Sequence, residues 1–233
     1  MSAQKHYEQI GVAMTCRSYE EYVRMFDLQE EELSAGPILD IAAGGSSFTA
    51  EVAAWGEAYA ADPRYGNKLD DWVREAAEEI EVSTSKLEQL TDVYDWSYYG
   101  DPVRHRERRL RSLAEFEAHI RSRDGRSRYV EGSLPQLPFE AGRFSLVLCS
   151  HFLFLYSEQF DERFHIESVL EMMRLCRPGG FVKIYPIVSF RTEPYPGMEK
   201  LLKTIIQAGG KPEFMLSRLP FIPGSLHYLR IAI

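Results

Sequence analysis

Short, wholly apolar runs alternate along the chain with longer stretches in which apolar residues recur every three or four positions. Short runs bounded by turn residues are typical of buried parallel strands, and the longer spacing is typical of helices that pack on a sheet. The predicted strands lie at Ile38–Ile41, 57–61, 129–133, 144–149 and 181–188. The alternation predicts an α/β domain with a mostly parallel sheet.

The helical stretches carry recognisable start and stop signals. Ser18 and Glu21 have the spacing of a capping box, which predicts a helix from there to about residue 28, and Ser85 with Glu88 predicts a second such start. Arg177-Pro178-Gly179-Gly180 predicts a sharp turn that ends one helix before the fifth strand. Further helices are predicted from residue 68, and at 103–128, 164–176 and 198–208. Two last apolar runs, at 213–216 and 226–233, predict an antiparallel hairpin.

A glycine turn follows the first predicted strand. Gly44 and Gly45 can adopt backbone angles that side chains forbid, and they allow a ligand to lie against the main chain. Ser46 or Ser47 is suited to cap the next helix, whose free N–H groups would face the turn. Strand, glycine turn and helix together favour a nucleotide-like cofactor, although a purely structural turn has the same pattern.

An acid follows the second predicted strand. Asp62 stands directly before Pro63, at the position where an acid of a βαβ unit lies beside a cofactor ribose. An aspartate before proline is also a common turn residue. The spacing from the glycine turn favours ribose binding.

Four stretches resemble those of class I S-adenosylmethionine-dependent methyltransferases: LDIAAGGSSF, YAADPRY, YVEGSLPQLPFEAGRFSLVLCSHFLFLY and LCRPGGFVKIYPI. The resemblance extends from about residue 36 to 188. It implies a Rossmann-like, doubly wound, mostly parallel seven-stranded sheet with an antiparallel C-terminal hairpin. The family's first motif is acid-x-Gly-x-Gly-x-Gly, and its marked positions are Asp40, Ala42, Gly44 and Ser46 here, so one of three glycines remains.

The same resemblance implies S-adenosylmethionine as the cofactor. It assigns the ribose to Asp62, and the methionine end to Asp40 and the turn. It assigns the binding of the adenine to Ser133 and Leu134. Ser133 is a neutral residue at the position where the family usually has an acid. The full predicted cofactor site consists of Asp40, Ala42, Gly44, Gly45, Asp62, Ser133, Leu134 and Ser150.

His151 follows the fourth predicted strand, at the sheet edge where ligands of open α/β sheets bind. A histidine there can take a proton from an acceptor hydroxyl or amine. It can equally serve only as a hydrogen-bonding group for the cofactor or the backbone. His151 is therefore the candidate catalytic residue, with its role open.

Composition limits the remaining choices. The 233 residues are 45% hydrophobic, which is enough to form the core of one domain. We expect this single methyltransferase domain to include an N-terminal helical cap (1–33) and a helical insertion (84–127). Three cysteines without a CxxC pair, and no signal-peptide or membrane-spanning run, favour a cytoplasmic protein without a structural metal or a membrane partner. The net charge of −8 gives no general attraction to nucleic acid.

The methyl acceptor is not specified by a motif. The family's Asn/Asp-Pro-Pro-aromatic element is replaced by Ser-His-Phe-Leu at 150–153, which argues against DNA adenine methylation. A small molecule is the first choice. Residues 103–128 hold nine arginines against four acids, so a structured RNA is an alternative, although the apolar spacing favours a solvated amphipathic helix. A non-catalytic S-adenosylmethionine-binding protein is also compatible, whereas a nicotinamide-dependent oxidoreductase would need a Gly-x-Gly-x-x-Gly pattern that is missing.

Overall fold

The computed structural model describes residues 7, 9, 11–14 and 16–233. Seven strands form one sheet. They are β1 (Ile38–Ile41), β2 (Ala58–Ala61), β3 (Tyr129–Val130), β4 (Phe144–Ser150), β5 (Cys176–Tyr185), β6 (Lys211–Leu216) and β7 (His227–Ala232). Their order across the sheet is β3-β2-β1-β4-β5-β7-β6.

The first five strands are parallel, and β7 is antiparallel to both β5 and β6. The strand order reverses between β1 and β4, so their carboxyl ends flank a crevice of the kind in which doubly wound sheets bind ligands. Every residue of β1 and β4 is buried, as expected of central strands covered on both faces. The predicted sheet and its C-terminal hairpin are confirmed.

Helices cover both faces of the sheet. They are α1 (Tyr19–Met25), α2 (Glu30–Ser34), α3 (Phe48–Val52), α4 (Leu69–Glu88), α5 (Pro102–Arg121), α6 (Glu162–Leu175) and α7 (Met198–Gln207), with 3₁₀ turns at Pro63–Gly66 and Arg126–Arg128. The predicted capping box opens α1, where the Ser18 hydroxyl accepts from the Glu21 N–H and the Glu21 carboxylate accepts from the Ser18 N–H. Helices α6 and α7 pack in one apolar cluster on the sheet, and α1 and α3 pack in another.

The predicted helix start at Ser85 is wrong, because α4 continues through it to Glu88. Thr84 and Leu87 are buried and extend the apolar stripe of the preceding turns, so tertiary packing outweighs the local capping pattern. The predicted lower bound of the insertion, residue 84, consequently falls inside α4. The N-terminal cap, 1–33, lies partly outside the described residues.

The tract Arg177–Gly180 was predicted as a turn outside the strand, and this is also wrong. Strand β5 already begins at Cys176, which pairs with Phe144, and the register then shifts before Leu146 pairs with Phe181. The tract is therefore an irregularity within the strand. A Cβ on Gly180 would lie 2.6 Å from the carbonyl oxygen of Ser145, so the close approach of the two strands requires glycine there.

In the part of the chain that the structure describes, no helix has the length and apolar character needed to cross a bilayer. The cysteines Cys16, Cys149 and Cys176 are buried and free.

Candidate functional site

A cavity of about 290 Å³ lies at the carboxyl ends of β1, β2, β3 and β4. Its walls come from the first residues after each strand and from the N-terminal segment, and they are mostly apolar with a few polar groups. The residues after the strands are Ala42, Asp62, Pro63, Arg64, Gly132, Ser133, Leu134, His151 and Phe152. We call this space the sheet-edge cavity.

Asp62 is the carboxylate on the wall of this cavity. One oxygen accepts from the N–H of Gly44 at 3.1 Å and the other from the N–H of Arg64 at 2.9 Å. The residue is 8% exposed, and its burial raises the pKa of the carboxyl, with the two backbone N–H groups lowering it in part. Each oxygen keeps a further lone pair for a ligand hydroxyl. Asp62 is thus fixed in place and able to accept more hydrogen bonds.

Leu134 and Ser133 also line the cavity, from the loop after β3. Leu134 is buried and supplies an apolar surface, whereas Ser133 is exposed. Phe160 and Phe164 also line the cavity and stack on each other with ring centroids 4.3 Å apart. Sequence reasoning did not select these two rings, because Phe160 precedes the N-cap of α6 and only Phe164 belongs to the helix, so no helical spacing pairs them.

The glycine turn does not line the cavity. The Gly44 N–H is bonded to Asp62, and its carbonyl oxygen accepts from the Tyr65 hydroxyl at 2.8 Å. A Cβ on Gly45 would lie 2.7 Å from the sulfur of Cys16 and 3.1 Å from Leu113. Cys16 and Leu113 therefore pack against Gly45, and neither glycine of the turn contributes to the wall of the sheet-edge cavity.

Asp40 and Ser150, two other predicted site residues, also lie behind the cavity wall. Asp40 is fully buried, and one of its oxygens accepts from the Tyr22 hydroxyl at 3.0 Å while the other has no partner among the described residues. Burial raises the pKa of Asp40 well above its ordinary value. The Ser150 hydroxyl is 2.8 Å from Nδ1 of His151 and positions that ring.

His151 stands between the sheet-edge cavity and a second one. Its backbone has a φ of +53°, which is rare for a side-chain-bearing residue and turns the chain at the end of β4. Burial lowers the pKa of His151 well below its ordinary value, and the nearby Arg17, Arg109 and His105 lower it further. The ring is therefore neutral near pH 7.

The second cavity, of about 90 Å³, shares Ala13 and His151 with the first. We call it the inner cavity. Its walls are aromatic and aliphatic apart from a few charged and polar groups, and come from the N-terminal segment, α4, α5 and the loops near residues 94, 156, 190 and 221. The charged lining residues are Arg17, Glu79 and Arg109. The shared residues place the two cavities side by side.

A buried cluster of polar groups backs the inner cavity. Glu21 is fully buried, and its carboxylate lies 2.7 Å from one guanidinium nitrogen of Arg109. Arg109 also donates to the Tyr99 hydroxyl at 3.0 Å and lies 3.1 Å from Nε2 of His105. Sequence reasoning missed this cluster, because it counted Arg109 with the basic stretch of α5 and not with the buried face of that helix.

Comparison with known proteins supports the fold. The glycopeptide N-methyltransferase MtfA, solved with S-adenosyl-L-methionine, aligns over 97% of this chain and 99% of its own with a TM-score of 0.52 and 11% identity. A SAM-dependent methyltransferase from Aquifex aeolicus aligns over 91% and 90% of the two chains, with a TM-score of 0.42 and 11% identity. The uncharacterised protein MJ0045 of Methanocaldococcus jannaschii is 29% identical over 189 residues, which are 80% of this chain and 83% of that protein. No family model matches the chain.

The strand order and the antiparallel β5-β7-β6 edge, together with the likeness to MtfA, define the Rossmann-like fold of class I methyltransferases. The resemblance seen in the sequence is thereby confirmed at the level of the fold. Fold alone does not determine function, which depends on the residues of the site.

Proposed function

We propose that this protein is an S-adenosylmethionine-dependent methyltransferase that acts on a small molecule. The observation that carries the proposal is Asp62, a buried carboxylate at the end of β2 that faces the sheet-edge cavity beside the reversal in strand order. A doubly wound sheet binds nucleosides at this point, with an acid of this position on the ribose hydroxyls. The fold shared with MtfA supports the same conclusion.

The residues present fit the adenosine part of such a cofactor. The free lone pairs of Asp62 suit two ribose hydroxyls, and Leu134 with Ile41 and Phe164 offers apolar surface for the adenine. Ser133 can accept from an adenine amine. Asp40, Gly44, Gly45 and Ser150 then support the site from behind its wall.

The bound cofactor supplies an electrophilic methyl group, so the protein's main contribution is placement. Holding two reactants in line is worth roughly 7–11 kcal/mol in favourable cases. The inner cavity adjoins the sheet-edge cavity at Ala13 and His151, and it is the space for the acceptor. Burial and the nearby Arg17 and Arg109 lower the pKa of His151, so the ring holds a proton poorly, and its role is to orient the acceptor as a neutral hydrogen-bonding group.

The small volume of the inner cavity, about 90 Å³, favours a small acceptor over RNA. Two arginines of α5 that would contribute to an RNA-binding face are already paired with acids, Arg106 with Glu81 and Arg121 with Glu117. Such pairs weaken the attraction of a basic helix to phosphates.

Calorimetry with S-adenosylhomocysteine tests the proposal. The Asp62→Ala variant should bind this product about tenfold to more than a hundredfold more weakly, since roughly 1.5–3 kcal/mol of charge-assisted hydrogen bonding is lost. Asp92→Ala, an exposed acid in the loop after α4, is the matched control and should bind normally. Circular dichroism must show that the Asp62 variant is folded, because the Gly44 turn depends on the same carboxylate. Wild-type protein that binds neither S-adenosylmethionine nor its product would refute the proposal.

A further inference from the structure

Arg17 is a buried cation with few partners on the wall of the inner cavity. It is 7% exposed, and its Nε has no hydrogen-bond partner among the described residues. Among the described residues, its guanidinium reaches two side chains, both from Nη1, at 3.4 Å to Oε1 of Glu21 and 3.4 Å to the Tyr99 hydroxyl. Both distances are at the limit of a hydrogen bond. A guanidinium has five donors, so most of those of Arg17 are available.

Glu21 cannot neutralise Arg17, because its carboxylate is already engaged by other groups. Arg109 contacts both of its oxygens, at 2.7 and 2.9 Å. The Ser18 N–H and the Tyr99 hydroxyl also donate to it. One carboxylate thus serves two guanidinium groups, and the cluster carries one positive charge in excess.

The other titratable groups around the inner cavity do not supply a negative charge beside Arg17. His105 and His151 are held neutral, since burial and the two arginines lower the pKa of both. Burial raises the pKa of Tyr7, Tyr94 and Tyr156, so these rings are uncharged as well. Glu79 is the one carboxylate among the described lining residues. It comes from the middle of α4, where Gln9 lies 3.5 Å from it.

We propose that the inner cavity binds the methyl acceptor as a carboxylate, with Arg17 as the residue that recognises it. This inference rests on the proposed methyltransferase function and specifies the substrate class. A carboxylate matches the single excess charge and the planar donor fork of arginine, whereas a phosphate brings roughly −1.5 to −2 at pH 7. The aromatic and aliphatic walls suit an apolar body attached to that carboxylate.

A carboxylate at Arg17 has two potential sources, the acceptor and the amino-acid part of the cofactor itself. The two are distinguished with 5′-methylthioadenosine, which has the nucleoside but not the amino acid. If Arg17 holds the acceptor, Arg17→Gln leaves the affinities for S-adenosylhomocysteine and for 5′-methylthioadenosine unchanged. If Arg17→Gln weakens binding of S-adenosylhomocysteine alone, the carboxylate belongs to the cofactor and the assignment to the acceptor is overturned.

The acceptor side is tested with matched pairs of small probes, propionate against propionamide and benzoate against benzamide. Calorimetry is performed on protein saturated with S-adenosylhomocysteine. Wild-type protein should prefer a carboxylate over its amide by about tenfold to a hundredfold. Arg17→Gln should abolish the preference and Arg17→Lys should retain part of it. Arg24→Gln, an exposed arginine on the neighbouring helix α1, should behave as wild type.

The possible outcomes distinguish a failure of the carboxylate inference from a failure of the proposed methyltransferase function. Normal binding of S-adenosylhomocysteine without any preference for a carboxylate overturns the inference and leaves the proposed function standing. Failure of S-adenosylhomocysteine to bind overturns both. A preference that survives in Arg17→Gln also overturns the inference, because some other group would then recognise the charge.

Discussion

Replacing Glu21 by glutamine should reveal how strongly the buried cluster contributes to stability. The substitution keeps the shape of the side chain and one oxygen that can accept from the Ser18 N–H. It removes the charge and replaces the other acceptor oxygen, which faces Arg17, Arg109 and Tyr99, with an NH2 donor. Arg109 and Arg17 then face each other with no carboxylate between them. Both guanidinium groups stay buried, at 5% and 7% residue exposure, so water cannot compensate for the loss.

The expected loss of stability in Glu21→Gln is large. Two unit charges 2.7 Å apart attract by about 6 kcal/mol at an effective dielectric constant of about 20. Removing one partner of a buried pair typically costs about 3–5 kcal/mol, because the uncompensated charge keeps its desolvation penalty. We expect Glu21→Gln to lower the free energy of unfolding by about 3–5 kcal/mol, which is roughly a third to a half of the total for a domain with a stability of about 10 kcal/mol.

Urea denaturation followed by circular dichroism measures the effect, with the m-value checked for two-state behaviour. The matched control is Glu20→Gln, whose side chain is 70% exposed and lies 3.6 Å from Arg108. It should change stability by less than about 0.5 kcal/mol. Arg17→Met should be neutral or stabilising, because it removes the excess charge and leaves the Glu21–Arg109 pair intact. A loss below about 1 kcal/mol for Glu21→Gln, or an equal loss for Arg17→Met, would refute the charge assignment.

Two further experiments test the packing and the electrostatics around the site. Gly45→Ala should destabilise the fold by about 1–3 kcal/mol, because its added methyl group overpacks against Cys16. Thermal or urea unfolding should show that adding Cys16→Ala to this variant restores most of the lost stability. Burial lowers the pKa of His105, so below about pH 6.5 the unfolded chain binds a proton that the folded one does not. As the pH falls below this value, the free energy of unfolding of the wild type should therefore decrease by up to about 1.4 kcal/mol per pH unit more than that of His105→Gln. A difference in stability between the two proteins that does not vary with pH would contradict this.

Local patterns predicted the sheet well because each strand carries its own signal. The apolar run at β1, the acid after β2 and the two final apolar runs all depend on neighbours in sequence. The capping box at Ser18 and the ion pair between Glu117 and Arg121, found at 2.8 Å, are equally local. Such features follow from helix and strand geometry alone.

The covering of the glycine turn could not be predicted, because it depends on contacts far apart in sequence. Leu113 of α5 and Cys16 of the N-terminal segment meet above Gly45. Likewise, Arg109 looked like part of a solvated basic stretch, although its face of α5 also contains the buried Ser112, Leu113 and Phe116. Counting charges along a helix does not show which of its faces is buried.

Arg17 connects the two cavities through its backbone and its side chain. Its carbonyl oxygen accepts from the Ser46 hydroxyl at 2.8 Å and from the Ser47 N–H at 3.0 Å, which fixes the turn before α3. Its guanidinium lines the inner cavity. The same turn also positions Asp62, because the Gly44 N–H donates to its carboxylate. The residue proposed to recognise the acceptor and the carboxylate proposed to hold the ribose are thus anchored to the same turn, so a substitution that moves this turn should weaken both sites together.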